Sequence, residues 1–106
     1  MAKNPLDTLL HEAREHQAAG SFKEAQNLYQ KILKSKPNDA KIQSKLGAAL
    51  AAQGQFAQSI SILNQAMEND PILADVHINL GSVLHIQGKI DEAAAAFRRA
   101  LEINPD

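Results

Sequence analysis

Cysteine and tryptophan are both absent from this 106-residue chain. Without cysteine there are no disulfides, no thiol nucleophile and no cysteine-bound zinc. Aromatic residues stop at three Phe and one Tyr. Neither sign of charge is in excess: 11 Lys and Arg face 12 Asp and Glu, for a formal net charge of −1. Such a balance gives no general attraction to nucleic acid or to an anionic membrane. No apolar run approaches the roughly 20 residues that a membrane span needs. The start, MAKNPLDTLL, follows one early lysine with Asn, Pro and Asp, so it does not read as a signal peptide. We therefore expect a cytoplasmic protein. The length suits one domain over 1–106 and not two. Alanine is plentiful, with eighteen copies, which favours closely packed helices.

One local stretch invites a chemical reading. HEAREH, residues 11–16, resembles the zinc-protease pattern H-E-x-x-H, in which the two histidines stand four residues apart on one helix face. Here His11 and His16 are five apart. At about 100° per residue, an offset of five turns them roughly 140° from each other, against about 40° for an offset of four. A shared metal ion is not expected. His77 and His85 are eight apart, too far for one ion, and no serine has a base placed with it in a recognisable pattern. We expect no enzyme activity, no cofactor and no metal.

The informative signal is self-similarity at a step of 34 residues. It links Pro37, Pro71 and Pro105; Gly20, Gly54 and Gly88; and Gly47 with Gly81. It also links Tyr29, Leu63 and Phe97, then Ile32, Ala66 and Ala100. Each unit reads as two helices. Segments near 6–19, 40–53 and 74–87 stop at a glycine, which tolerates the positive φ just past a helix end. Segments near 22–35, 56–69 and 90–103 close before a proline, which cannot continue a helix. Small residues recur where helices must approach: Ala13, Gly47 and Gly81 in the first helices, Ala25, Ser59 and Ala93 in the second. One such hairpin cannot bury its own apolar face, so stacking supplies the core.

These residues resemble three tandem tetratricopeptide (TPR) repeats, near 6–39, 40–73 and 74–106. The third is the clearest, with Leu80-Gly81, Leu84, Gly88, Ala93, Phe97, Ala100 and Pro105. Departures are that Leu9, Gln43 and His77 replace the common early Trp, Ser59 replaces an Ala, and Glu12 and His16 replace two apolar residues. The resemblance implies an all-α solenoid of six antiparallel helices in a right-handed superhelix. Stepping by 34 aligns Glu12 with Leu46 and Leu80, and His16 with Leu50 and Leu84. With no repeat before them, Glu12 and His16 read as a solubilising edge.

The same resemblance implies a non-catalytic module that binds a peptide or partner protein in a concave groove formed by the first helix of each repeat. The expected groove residues are Leu10, His11 and Arg14; Lys41 and Lys45; and Ile78, Asn79, Ser82 and His85. Asp7, Gln17, Ser44, Ala48, Ala51 and Asp75 share that face. The carboxylate clamp of one subclass is absent, since Leu10, Arg14, Lys45, Asp75 and Asn79 stand where it wants Lys, Asn, Asn, Lys and Arg. The asparagine ladder of another subclass is represented by Asn79 alone. Lys31, Lys34 and Lys36 gather in the last turn of a helix, where cations complement its dipole. Arg98 and Arg99 are expected to face solvent. A nucleic-acid partner is not expected, because no basic, aromatic-bearing groove accompanies these charges.

An alternative is a structural module, self-associating or tethering at the N-terminus of a longer protein. The chain stops at INPD with no polar helix to cover the last hairpin. Phe97, Leu101 and Ile103 are the residues expected to carry a homo-oligomer contact through the C-terminal helix.

Overall fold

The computed structural model describes residues 4–106; residues 1–3, the first of the start discussed above, lie outside the described residues. Six helices follow one another: α1 (Pro5–Ala18), α2 (Phe22–Ser35), α3 (Ala40–Ala52), α4 (Phe56–Asn69), α5 (Ala74–Ile86) and α6 (Ile90–Ile103). Their bounds agree with the sequence expectation to within a residue or so.

The 34-residue step is visible in the backbone itself. At the end of each first helix the N–H groups reach back in the same way: Ser21 to the His16 carbonyl (2.8 Å) and Gly20 to Gln17 (3.1 Å). Gln55 to Leu50 with Gly54 to Ala51 repeats the pattern, and Lys89 to Leu84 with Gly88 to His85 repeats it again. These are Schellman closures, which place the residue after the cap in the left-handed region. Gly20, Gly54 and Gly88 have φ of 81°, 78° and 81°. A side chain there would be strained, so glycine at this period follows from the turn. At the starts, the Asn4 and Asp39 side chains accept from the backbone N–H of Leu6 and Ile42, capping α1 and α3.

α1 packs on α2, α3 on α4 and α5 on α6, while α2–α3, α4–α5 and α3–α5 contacts join successive hairpins. The body is elongated, 47 × 26 × 23 Å, as expected of a stack in which each hairpin meets only its neighbours. Two core clusters run along it. In the first, Ala25, Tyr29 and Ile32 of α2 meet Ile42, Leu46, Ala49 and Leu50 of α3, with Ala13. In the second, Leu63 and Ala66 of α4 meet Val76 and Val83 of α5, and Phe56, Ile60, Met67 and Leu80 pack around them.

Three of the departures from the family pattern, Gln43, His77 and Ser59, are hydrogen-bonded. Gln43 donates its Nε2–H to the Pro37 carbonyl (3.0 Å) and accepts from Asn69 (2.9 Å). His77, 34 residues on, sets Nε2 3.1 Å from the Pro71 carbonyl. That nitrogen must carry the proton, because a carbonyl only accepts. Ser59 donates to the Gly47 carbonyl at 2.7 Å in the core. Gln53 of the second repeat donates to Gln26 Oε1 of the first (2.8 Å), across the joint between hairpins. Among the described residues no buried side-chain nitrogen or oxygen lacks a partner.

Candidate partner-binding surface

The first helices α1, α3 and α5 line one side of the stack, and a concavity of about 500 Å³ opens on it. Arg14 and Gln17 come from α1, Lys41, Ser44, Lys45 and Ala48 from α3, and Asp75, Ile78 and Asn79 from α5. These residues sit three and four apart along each helix, so a single face of each is presented. Of the residues expected in the groove, Arg14, Lys41, Lys45, Ile78 and Asn79 are brought together here.

The rest are dispersed. Leu10 is half-buried and packs against the first core cluster. His11 is exposed, and its Nε2 lies 2.8 Å from Glu15 of its own helix. Ser82 lines a neighbouring apolar depression of about 230 Å³, with Ala48, Ala51, Ala52, Val83 and Ile86. Its hydroxyl donates to the Ile78 carbonyl. His85 is exposed and lines neither space. Ile86, which the sequence reading passed over, is 61 % exposed on the depression's edge. Its counterparts 34 and 68 residues earlier are Ala52 and Ala18, and that contrast was available as a signal.

Charge in the concavity is one-sided. Arg14, Lys41 and Lys45 face a single anion, Asp75. The ion pairs among the described residues are His11–Glu15 and Arg99–Glu102, so none of the three cations is neutralised by a protein carboxylate within 4 Å. Asn79 donates to the Ser44 carbonyl (3.2 Å) and the Ser44 hydroxyl (2.9 Å), which fixes its amide plane across α3 and α5. No protein group among the described residues donates to its Oδ1. Ser44 itself is buried, so the floor is small side chains and fixed dipoles.

The geometry of the hairpins and their 34-residue closures fits one family of helical repeats, and a family model for the tetratricopeptide repeat matches residues 38–106. The chain belongs to the tetratricopeptide repeat family. No curated protein sequence matches it. Solved structures of TPR proteins do. The first TPR domain of Spaghetti (RPAP3), bound to the HSP90 peptide SRMEEVD, superposes with a TM-score of 0.87 at 21 % identity, over 95 % of this chain and 80 % of that one. The Arabidopsis OM64 TPR domain gives 0.88 at 22 %, over 94 % and 83 %. A mutant O-GlcNAc transferase of Thermobaculum terrenum gives 0.91 at 27 % over the whole of this chain, which spans 21 % of the transferase. These likenesses establish six antiparallel helices packed as TPR hairpins.

The other end of the stack carries a second open surface. Ala74, Asp75 and Ile78 of α5, Phe97, Ala100 and Leu101 of α6, and Asn104 and Asp106 beyond it enclose about 380 Å³. Phe97 and Leu101 were expected here. Ile103 was expected beside them, but it is half-buried and outside the lining. Six residues past Phe97, it is turned about 240° around the helix.

Among the described residues no helix is long and apolar enough to cross a membrane, and no group of three metal-ligating side chains gathers.

Proposed function

We propose that the concave face binds an extended, acidic segment of a partner protein, making this chain a non-catalytic interaction module. The observation that supports this most is the trio Arg14, Lys41 and Lys45, drawn from two helices into one hollow and engaged in no ion pair among the described residues. Asp75 and Ile78 close the α5 end, where a basic or aliphatic residue of the segment fits. Asn79 Oδ1 offers an acceptor to a peptide N–H. The superposed RPAP3 domain holds an acidic peptide, SRMEEVD, on a similar scaffold. Because this chain lacks the carboxylate clamp, the reading differs in one respect: side-chain acids are recognised, and a free C-terminus is not required.

Labelled acidic peptides, SRMEEVD among them, test this by fluorescence anisotropy. A hydrogen bond to a charged group is worth about 1.5–3 kcal/mol, so Lys45→Glu should weaken binding about tenfold or more. Amidation of the peptide's C-terminus should leave affinity unchanged. Equal affinity for Lys45→Glu and for the outward-facing control Arg98→Glu would sink the proposal.

A further inference from the structure

The cationic hollow and the apolar depression beside it meet at two residues, Ala48 of α3 and Asn79 of α5, which line both. Lys41 and Lys45 precede Ala48 on α3, on the hollow's side; Ala51 and Ala52 follow it, on the depression's side. On α5, Asp75 and Ile78 precede Asn79, and Ser82, Val83 and Ile86 follow it. No charged side chain lines the depression. Its two polar side chains are engaged: the Asn79 amide donates to Ser44, and the Ser82 hydroxyl donates to the Ile78 carbonyl. A polar group entering there would give up water and find no free donor, whereas an apolar one gains by burial. At about 230 Å³ the space is smaller than the roughly 300–1,000 Å³ of a small-molecule pocket, and it suits one side chain.

Ile86 gives this space its wall. Its counterparts Ala18 and Ala52 are exposed although a further hairpin follows each of them. The position therefore looks onto the concave side and not into a joint between hairpins, and the exposure of Ile86 belongs to that side. The third repeat alone places a large apolar residue there. Asn79 sets how a segment would cross. Its two bonds to Ser44 hold the amide over α3 and α5, and no protein group among the described residues donates to Oδ1. An extended segment that gives Oδ1 an N–H turns its hydrogen-bonding edge to the floor. Its side chains then point sideways, alternately to one flank and the other. Here one flank is the cationic hollow and the other is the apolar depression.

We propose that the partner segment carries a leucine-sized apolar side chain between two acidic residues, in the order acid, apolar, acid. The acids turn to Arg14, Lys41 and Lys45, and the apolar side chain seats against Ala51, Ala52 and Ile86. Ile86 is then the specificity-determining residue of the concave face. The order reads the same in both chain directions, so it holds whichever way the segment runs. This inference rests on the binding proposed above and adds the rule by which one acidic segment is chosen over another.

Three labelled, end-blocked peptides test it by fluorescence anisotropy. GSELESG has the leucine between the acids; GESESLG has the same composition with the leucine an even step from both; GSESESG has no leucine. GSELESG should bind about fivefold or more tightly than either of the others. Raising the salt should weaken all three while leaving that ratio in place, because screening acts on the charges alone. Ile86→Ser, an exposed change, should erase the advantage of GSELESG and leave the affinity for GSESESG as it was. Ile86→Leu should keep the advantage, and Ala52→Leu, which fills the depression from α3, should remove it. Equal binding of the three peptides, all weakened by Lys45→Glu, would overturn the apolar subsite and leave the cationic hollow standing. No binding of any of them at low salt would overturn both. An advantage that survives Ile86→Ser would put the leucine elsewhere and overturn the assignment.

Discussion

Tyr29 shows how one side chain can carry several of the fold's constraints at once. It is fully buried between α2 and α3, and its hydroxyl donates to Gln17 Oε1 on α1. It thus ties the first hairpin together and presents its ring to the second. Burial raises its phenol above the ordinary value of 10.0, an effect the nearby Arg14 charge opposes. The unfolded chain therefore sheds this proton at lower pH than the folded one. Stability should be unaffected by Tyr29 below pH 10, fall as pH rises above it, and level off once the folded phenol also ionises. Thermal melts across that range should show the decline in the wild type and a smaller one in Tyr29→Phe. Because the chain has a single tyrosine, phenolate absorbance reports the folded-state titration directly. An unshifted titration, or identical alkaline decline in both proteins, would contradict the assignment.

At the scale of helices, the closest approaches separate the middle hairpin from the last. A Cβ built on Gly47 would lie 2.6 Å from Leu63 Cδ2 and 2.7 Å from its Cγ, and one on Gly81 would lie 2.8 Å from the Phe97 ring. Alanine gains about 1 kcal/mol over glycine in a helix interior, while overpacking a core costs about 1–3 kcal/mol. Leu63 is enclosed on every side and cannot withdraw; Phe97 has solvent behind it. Gly47→Ala should therefore lose about 1–2 kcal/mol, and Gly81→Ala should stay within about 0.5 kcal/mol of wild type, as ring movement offsets the gain. Urea unfolding midpoints decide this, and equal losses would show that the last hairpin is as tightly enclosed as the middle one. The helices themselves were legible in the sequence because Gly20, Gly54 and Gly88 and the prolines punctuate them at a fixed step, and punctuation depends on local backbone physics. Burial was legible wherever that step compared like with like, as for Glu12 against Leu46. It failed at Ile103, where apolar character was read without its angle on the helix. Gln43 and His77 looked like losses of an apolar anchor; only the fold shows the proline carbonyls they satisfy.

For the molecule as a whole, the binding proposed above depends on charge laid out along the stack. The concave face runs from Arg14 on α1 through Lys41 and Lys45 on α3 to Asp75 on α5, so it has a direction. An extended peptide with acidic residues at one end and a lysine at the other meets complementary charges in one orientation and like charges in the reverse. Each misplaced pair at a partly exposed site costs a fraction of a kcal/mol to about 1 kcal/mol, so several together separate the two orientations measurably. A labelled acidic-to-basic peptide should bind more tightly than its reversed sequence, and the gap should narrow as ionic strength shortens the screening length. The double change Lys45→Glu with Asp75→Lys inverts part of the pattern without altering net charge. It should shrink the preference or reverse it while helical content is retained. A spin label at one peptide end would then broaden amides near Asp75 where it formerly broadened those near Arg14. If both sequences bind the wild type equally at low salt, the cations attract without orienting, and the groove recognises composition alone.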